Sequence, residues 1–87
     1  MVVSYTAAFI RMFAKLPQIL QEEALEKIEV FRDEAHHHQL KVHKLGGRLQ
    51  GRWSFSVNYQ IRIVFTFLKT DPKAAQLHAI GDHDVYR

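Results

Sequence analysis

The stretch at residues 52–67, RWSFSVNYQIRIVFTF, is the segment on which the predicted fold rests. It contains two short runs in which apolar and polar residues alternate. The apolar members of these runs are Trp53, Phe55, Val57, Ile61, Ile63, Phe65 and Phe67. A period of two is typical of half-buried strands, so the stretch predicts a β-hairpin with one face in the core and one polar face.

The length of the hairpin loop decides which residues face each other, because a shift of one residue exchanges the two faces of a strand. A two-residue turn would place Arg62 opposite Phe55 and so mix charged and apolar side chains. A three-residue loop at residues 58–60 keeps the apolar residues together. The pairs it predicts are Val57 with Ile61, Phe55 with Ile63 and Trp53 with Phe65.

This register places Arg62 opposite Ser56 on the polar face, together with Arg52, Ser54 and Thr66. A guanidinium there is either an ordinary surface group, solvated or paired with a carboxylate, or it binds an anion such as phosphate. The hairpin alone leaves both interpretations open. Trp53 falls on the core face, and we interpret it first as structural.

Two helices are predicted before the hairpin. Thr6 suits the N-cap of a helix that runs to about Leu16. Apolar residues at helical spacing then predict a second helix from Gln18 to about Ala35, with its acidic residues on a solvated face. The histidines that follow, at residues 36–38, are better explained as a solvated helix end than as a metal site, because adjacent side chains diverge.

The remaining chain predicts short strands. Residues 40–45 suit a strand or an extended connector, residues 76–80 suit a last strand, and residues 1–4 are either an edge strand or a frayed start. We therefore expect an α+β fold in which two N-terminal helices pack on one face of a small, mostly antiparallel sheet of three to four strands. Residues 1–87 should form a single domain.

Composition narrows the classes of function. The chain has no cysteine, and no segment approaches the roughly 18 apolar residues that would span a membrane. We expect a soluble, cytoplasmic protein with no membrane contact. Residues 1–35 carry a net charge of −2 and residues 36–87 one of +5, so the positive charge gathers on the strand-rich part. Such a surface favours a polyanion, above all nucleic acid, or an acidic protein.

The end of the chain carries the best candidates for chemistry. His83 stands between Asp82 and Asp84, and Tyr86 follows. Histidine titrates near neutral pH and can exchange a proton, while a guanidinium such as Arg62 can bind a phosphate with two hydrogen bonds. Cleavage of RNA through its own 2′-hydroxyl needs these groups and no metal or other cofactor. Five more cations could bind the RNA backbone: Lys41, Lys44, Arg48, Arg52 and Arg87. The same tail could equally be an ordinary polar C-terminus.

The second half of the chain resembles the RelE/ParE superfamily of toxins from bacterial type II toxin–antitoxin systems, and most closely the RelE/YafQ-like messenger-RNA interferases. The resemblance lies in HKLGGRLQGRWSFSV from residue 43, in the RIVF of the return strand and in IGDHDVY near the end. It implies the RelE-like fold and a small endoribonuclease that cuts messenger RNA, in many members on the ribosome.

The resemblance also implies roles for individual residues. His83 matches the catalytic histidine of the YafQ-like toxins, Arg62 the arginine of the return strand, and His43 the histidine before the glycine-rich approach. Tyr86 matches an aromatic residue that stacks on or orients a base. The implied acid–base pair is His83 with His43 or Asp84, and Arg62 binds the phosphate.

Partners and alternatives follow from the same resemblance. An acidic, amphipathic antitoxin would hold the toxin inactive, and their complex would bind operator DNA through the antitoxin. One alternative is a ParE-like toxin that binds and inhibits DNA gyrase without hydrolysis. Another is an inactivated relative that only binds an antitoxin or DNA.

Overall fold

The structure is a computed structural model, and it describes residues 1–86. The strands are β1 (Val2–Tyr5), β2 (His43–Lys44), β3 (Trp53–Ser56), β4 (Arg62–Leu68) and β5 (Ala74–Gly81). The helices are α1 (Ala7–Ala14) and α2 (Gln18–Phe31), and short 3₁₀ helices span Glu34–Leu40, Gly47–Leu49 and His83–Tyr86.

The five strands form one sheet in the order β1-β5-β4-β3-β2. β1 runs parallel to β5, and every other neighbouring pair is antiparallel. The α+β prediction is confirmed, with five strands instead of three to four, because both the N-terminal segment and the short β2 join the sheet. No helix within residues 1–86 is long and apolar enough to cross a membrane.

The predicted hairpin register is confirmed. Phe55 faces Ile63 and Ser56 faces Arg62 across β3 and β4. The loop is held by the side chain of Asn58, whose Oδ1 accepts hydrogen bonds from the backbone N–H groups of Gln60 and Ile61 at 2.8 and 2.7 Å. An asparagine side chain that binds the next residues' backbone is a common way to make a tight turn, and here it fixes the loop at residues 58–60.

The helices cover one face of the sheet. Phe31 of α2 is fully buried and stacks on Phe55 with ring centres 4.4 Å apart. The same ring meets Phe65 edge-on at 4.7 Å. Burial of each such phenylalanine contributes about 1.5–3 kcal/mol, so this cluster is a main reason why the helices pack on this face.

The first helix begins as predicted and ends early. Thr6 caps α1, because its Oγ1 accepts a hydrogen bond from the Phe9 N–H at 3.0 Å. The helix ends at Ala14 rather than Leu16. Gln21 of α2 donates to the carbonyl group of Ala14 at 3.4 Å and, just beyond the helix, to that of Leu16 at 3.0 Å. A side chain of α2 thus satisfies carbonyls that the helix itself leaves free.

The second helix ends before the predicted Ala35, and the expectation of a solvated histidine run is wrong at His37. α2 ends at Phe31, and a separate 3₁₀ helix begins at Glu34. His37 folds back so that its Nε2 lies 2.8 Å from the carbonyl oxygen of Phe31 and its ring stacks on that phenylalanine at 4.7 Å. This half-buried histidine caps the C-terminal end of α2, so it has a structural role in the histidine run.

The other boundaries also shift. The strand expected at residues 40–45 is reduced to His43–Lys44, since Leu40 belongs to a 3₁₀ helix and Lys41 has a left-handed backbone with φ of 57°. The last strand is longer than residues 76–80 and spans Ala74–Gly81.

Candidate active site

Strand pairing brings two predicted site residues to the same face of the sheet. His43 pairs with Ser54, which pairs with Val64. Arg62 lies two residues before Val64 and pairs with Ser56. Paired residues, and residues two apart on a strand, present their side chains on the same face. His43 and Arg62 therefore share the face that the helices leave uncovered.

The C-terminal 3₁₀ helix folds over the middle of this face. The hydroxyl of Tyr86 lies 2.8 Å from Oγ of Ser54. The expectation of an open polar face is wrong at Ser54, which is fully buried. The C-terminal helix lies over the neighbouring strands β4 and β5, and its Tyr86 reaches Ser54 on β3. The ring of His83 meets Tyr86 edge-on with centres 5.8 Å apart. Tyr86 thus contacts both His83 and Ser54, and Ser54 is the strand partner of His43.

Arg62 is half-buried, and its Nη1 donates a hydrogen bond to the backbone carbonyl of Asn58 in the hairpin loop. No carboxylate among residues 1–86 forms an ion pair with it. Within residues 1–86, the structure thus shows no carboxylate partner for this guanidinium. Because the loop uses only part of the guanidinium, N–H groups remain that can donate to an oxyanion.

His83 and Arg62 line two different clefts. His83 and Asp84 line a cleft of about 550 Å³ whose other side is formed by Met12 of α1. Arg62 lines one of about 570 Å³ with Lys41 on its rim. Tyr59, at the tip of the hairpin, is 94 % exposed and lines both clefts. The clefts of His83 and Arg62 thus share the exposed side chain of Tyr59.

Four of the five predicted RNA-binding residues lie in the described part of the chain, and Lys41 lines the cleft of Arg62. Lys44 pairs with Trp53 and lies on the helix side of the sheet, with its Nζ 5.5 Å from the centre of that ring. Arg48 is exposed on the loop between β2 and β3. Arg52 is half-buried beside Trp53. Arg87 lies outside the described residues.

The loop ahead of His43 is ordered by a short contact. Nδ1 of this exposed histidine lies 2.8 Å from the carbonyl oxygen of Lys41. The contact fixes the ring and leaves Nε2 facing outward. His43 is thus available on the same face as the buried Ser54, one strand away from the C-terminal helix.

The sequence analysis did not identify His78 as a residue of the polar face of the sheet. The pairing of β4 and β5 is irregular between Val64 and Phe65, and His78 is the extra residue of a β-bulge. Its Nε2 lies 2.9 Å from Oγ1 of Thr66. Partial burial, and then the charge of Arg52, lower the pKa of His78 below its usual value.

A sequence signal for the bulge exists. The residues of β5 in the hydrophobic core are Ala75, Leu77 and Ile80, so their spacing changes from two to three between Leu77 and Ile80. A strand keeps its buried side on one face only if an extra residue is inserted at such a step. No sequence signal identifies Tyr59 as a residue that lines both clefts, because this depends on how the hairpin loop packs in three dimensions.

The site therefore offers two exposed imidazoles, one guanidinium with free N–H groups and one tyrosine hydroxyl held by a serine. These groups can exchange protons and stabilise an oxyanion. No group of three or more histidine, aspartate or glutamate side chains within the described part of the chain is arranged to hold a metal ion.

The sequence matches no protein-family model and no curated protein at a significant level. Solved structures do match. The YoeB/ParE toxin from Agrobacterium tumefaciens is 16 % identical, with 95 % of this chain and 99 % of that chain covered and a TM-score of 0.69. YafQ from E. coli is 11 % identical, with 95 % and 93 % covered and a TM-score of 0.68. In the archaeal RelE–RelB complex from Pyrococcus horikoshii, the matched chain is 15 % identical, with 93 % and 92 % covered and a TM-score of 0.71. This chain has the fold of the RelE, YoeB and YafQ toxins.

Proposed function

We propose that this chain is the toxin of a type II toxin–antitoxin system and that it cuts messenger RNA as a metal-independent endoribonuclease. The observation that carries the proposal is the C-terminal helix, which anchors Tyr86 on Ser54 and places the ring of His83 against Tyr86. Arg62 and His43 share the face under that helix. The fold is shared with RelE and YafQ toxins, which makes the same class of activity the best explanation.

The proposed reaction is an internal displacement at a phosphate. One group takes the proton of the 2′-hydroxyl, and the 2′-oxygen attacks the phosphorus. The bond from phosphorus to the 5′-oxygen breaks, and a second group donates a proton to that oxygen. The products are a 2′,3′-cyclic phosphate and a free 5′-hydroxyl.

The contacts of Arg62 and Tyr86 and the exposure of His83 suggest a role for each residue. The N–H groups of Arg62 that the loop leaves free bind the charged oxygens of the transition state. His83 exchanges one of the two protons, with His43 or Asp84 as its partner. Tyr86, whose hydroxyl is held by Ser54, positions His83 and offers its ring to a base.

The proposed partner is an acidic, amphipathic antitoxin. Tyr5, Ile10 and Leu25 are between 39 and 56 % exposed and line a small apolar groove between α1 and α2. The basic second half of the chain suits acidic residues of such a partner. The complex would reach operator DNA through the antitoxin, and the free toxin would act in the cytoplasm on messenger RNA, alone or on the ribosome.

Two substitutions test the catalytic roles. His83→Ala and Arg62→Ala should each relieve growth arrest on expression and lower the rate of RNA cleavage by about 10²–10³-fold, because each removes a proton-transfer group or a transition-state donor. Arg11→Ala, at an exposed arginine of α1, should change neither. A chelator should leave cleavage intact. Full activity in both variants, or activity that one metal restores after chelation, would rule the mechanism out.

The same expression experiment separates RNA cleavage from gyrase poisoning. Transcript ends should multiply within minutes of induction, and DNA breaks linked to gyrase should not. If the breaks appear and the transcripts stay intact, the chain is a ParE-like inhibitor and the proposed nuclease activity is wrong.

A further inference from the structure

A second surface with the chemistry of a ligand site lies on the helix side of the sheet, at the end away from the hairpin loop. Phe67 meets Trp53 edge-on with ring centres 5.1 Å apart. Both rings are half-buried, and both line a cleft of about 700 Å³. The aromatic wall of this cleft is the part of the core that the helices do not cover.

The rest of the cleft is basic. Lys44, Arg52 and Lys69 line it, and no lining residue is acidic. Its rim is the loop at residues 46–51, which closes through a hydrogen bond from the Leu45 N–H to the Arg52 carbonyl at 2.9 Å. Three cations around two aromatic rings, with no carboxylate to neutralise them, attract an anion that also carries a flat apolar group.

We propose that this cleft binds one nucleotide of single-stranded RNA, with the base against Trp53 and Phe67 and the phosphate among Lys44, Arg52 and Lys69. The inference rests on the proposed function, because the RNA it binds is the strand that would be cut on the other face. Aromatic rings beside cations bind single-stranded nucleic acid in this way without reading its sequence.

Two observations favour RNA over an acidic peptide. Arg52 lies at the boundary of the two faces, since it lines the cleft and its charge also acts on His78 of the polar face. Arg52 therefore connects the positive charge of the cleft with the polar face of the sheet. In addition, the ammonium group of Lys44 lies over the Trp53 ring, so this face of the ring can hold a cation or a base. A base that stacks there would displace the ammonium group, which could then bind the phosphate.

The test uses the fluorescence of Trp53, which is the single tryptophan of the chain. The full chain with His83→Ala is titrated with a short oligoadenylate, so that the RNA stays uncut, and with an abasic oligomer of the same length and charge. The oligoadenylate should quench the fluorescence. The abasic oligomer should not quench it and should bind at least about fivefold more weakly, because it lacks the stacking contribution.

Variants locate the binding. Lys44→Gln combined with Lys69→Gln should weaken binding about tenfold. Lys15→Gln, at an exposed lysine on the far end of α1, is the matched control and should leave binding unchanged. Trp53→Phe, followed by anisotropy of labelled RNA, should bind within about threefold, whereas Trp53→Leu should bind about tenfold more weakly.

The outcomes separate the two proposals. Equal affinity for both oligomers without quenching overturns the cleft, as does an oligoglutamate peptide that quenches Trp53 more strongly than RNA does. If the wild-type chain cuts RNA while Trp53 stays unquenched, the cleft fails and the nuclease proposal stands. If RNA quenches Trp53 while the wild-type chain cuts nothing, the cleft stands and the nuclease proposal fails.

Discussion

At the scale of single residues, Tyr86 links the end of the chain to the centre of the sheet. Its hydroxyl shares a hydrogen bond with Ser54, a polar side chain that is fully buried. A buried hydroxyl is tolerated only when it has a partner, so the tail satisfies a group that β3 would otherwise leave unpaired. This hydrogen bond is one of the contacts that hold the C-terminal helix, and with it His83, against the sheet.

Tyr86→Phe should lower the free energy of unfolding by about 1–3 kcal/mol, because it leaves the buried Ser54 hydroxyl without a partner. The double variant with Ser54→Ala should recover most of that loss, since both polar groups are then absent. Urea unfolding of the two single variants and the double variant measures the coupling. Additive effects would mean that the hydrogen bond contributes nothing to stability.

His78 should make the stability depend on pH. Its pKa is lowered in the folded state, so below its ordinary value of 6.5 the unfolded chain binds a proton that the folded chain resists. The free energy of unfolding should therefore fall as the pH drops through about 6.5. His78→Gln should reduce this fall, which urea unfolding at about pH 7.5 and about pH 5.5 can measure. An identical pH response in the variant would exclude His78 as a cause.

At the scale of elements, the C-terminal 3₁₀ helix depends on a glycine. A Cβ added to Gly81 would lie 2.9 Å from Cγ1 of Val85, closer than real side chains approach. Valine is stiff about its first side-chain torsion, so the helix would have to move as a whole. The absence of a side chain at Gly81 thus allows the turn that brings His83 and Tyr86 over the sheet.

Gly81→Ala should displace this helix and lower RNA cleavage about tenfold or more, because a shift of about 1 Å in a catalytic group is costly. Arg11→Ala, at an exposed arginine of α1, is the control, since it lies outside both the C-terminal helix and the basic cleft. Cleavage of a labelled RNA by the two variants gives the comparison. Wild-type activity in Gly81→Ala would mean that the position of the helix does not matter for the reaction.

At the scale of the whole molecule, charge and burial divide the chain into two sides. The helices bring the acidic first part over the apolar face of the sheet, and the strands and their loops carry a net +5. The apolar groove lies between the helices, and it shares no residue with the basic cleft at the end of the sheet away from the hairpin loop. This separation supports one surface for a protein partner and another for a polyanion.

RNA binding should therefore depend strongly on salt. A plot of the logarithm of the affinity for single-stranded RNA against the logarithm of the salt concentration has a negative slope. Removing one cationic side chain that contacts a phosphate should reduce the magnitude of this slope by about 0.7. Lys41→Gln and Arg48→Gln should each show this change, and Lys15→Gln should not. Binding measured between about 50 and 200 mM salt gives the slopes. Unchanged slopes in both variants would remove these residues from the RNA path.

The sequence by itself determined the hairpin, its register and the face on which Arg62 lies, because a period of two and a loop of fixed length leave one arrangement that keeps the apolar residues together. It also gave the capping of α1 by Thr6, since N-capping is local. These features depend on neighbours close in the chain.

Only the tertiary structure decided what meets across the sheet. The contact of Tyr86 with Ser54 joins residues 32 positions apart, and the cap that His37 makes on α2 requires the chain to turn back. The placement of His83 and Arg62 in two clefts that share Tyr59 depends on how the hairpin packs. Such contacts depend on how elements pack, and the periodicity of one segment carries no information about the position of another.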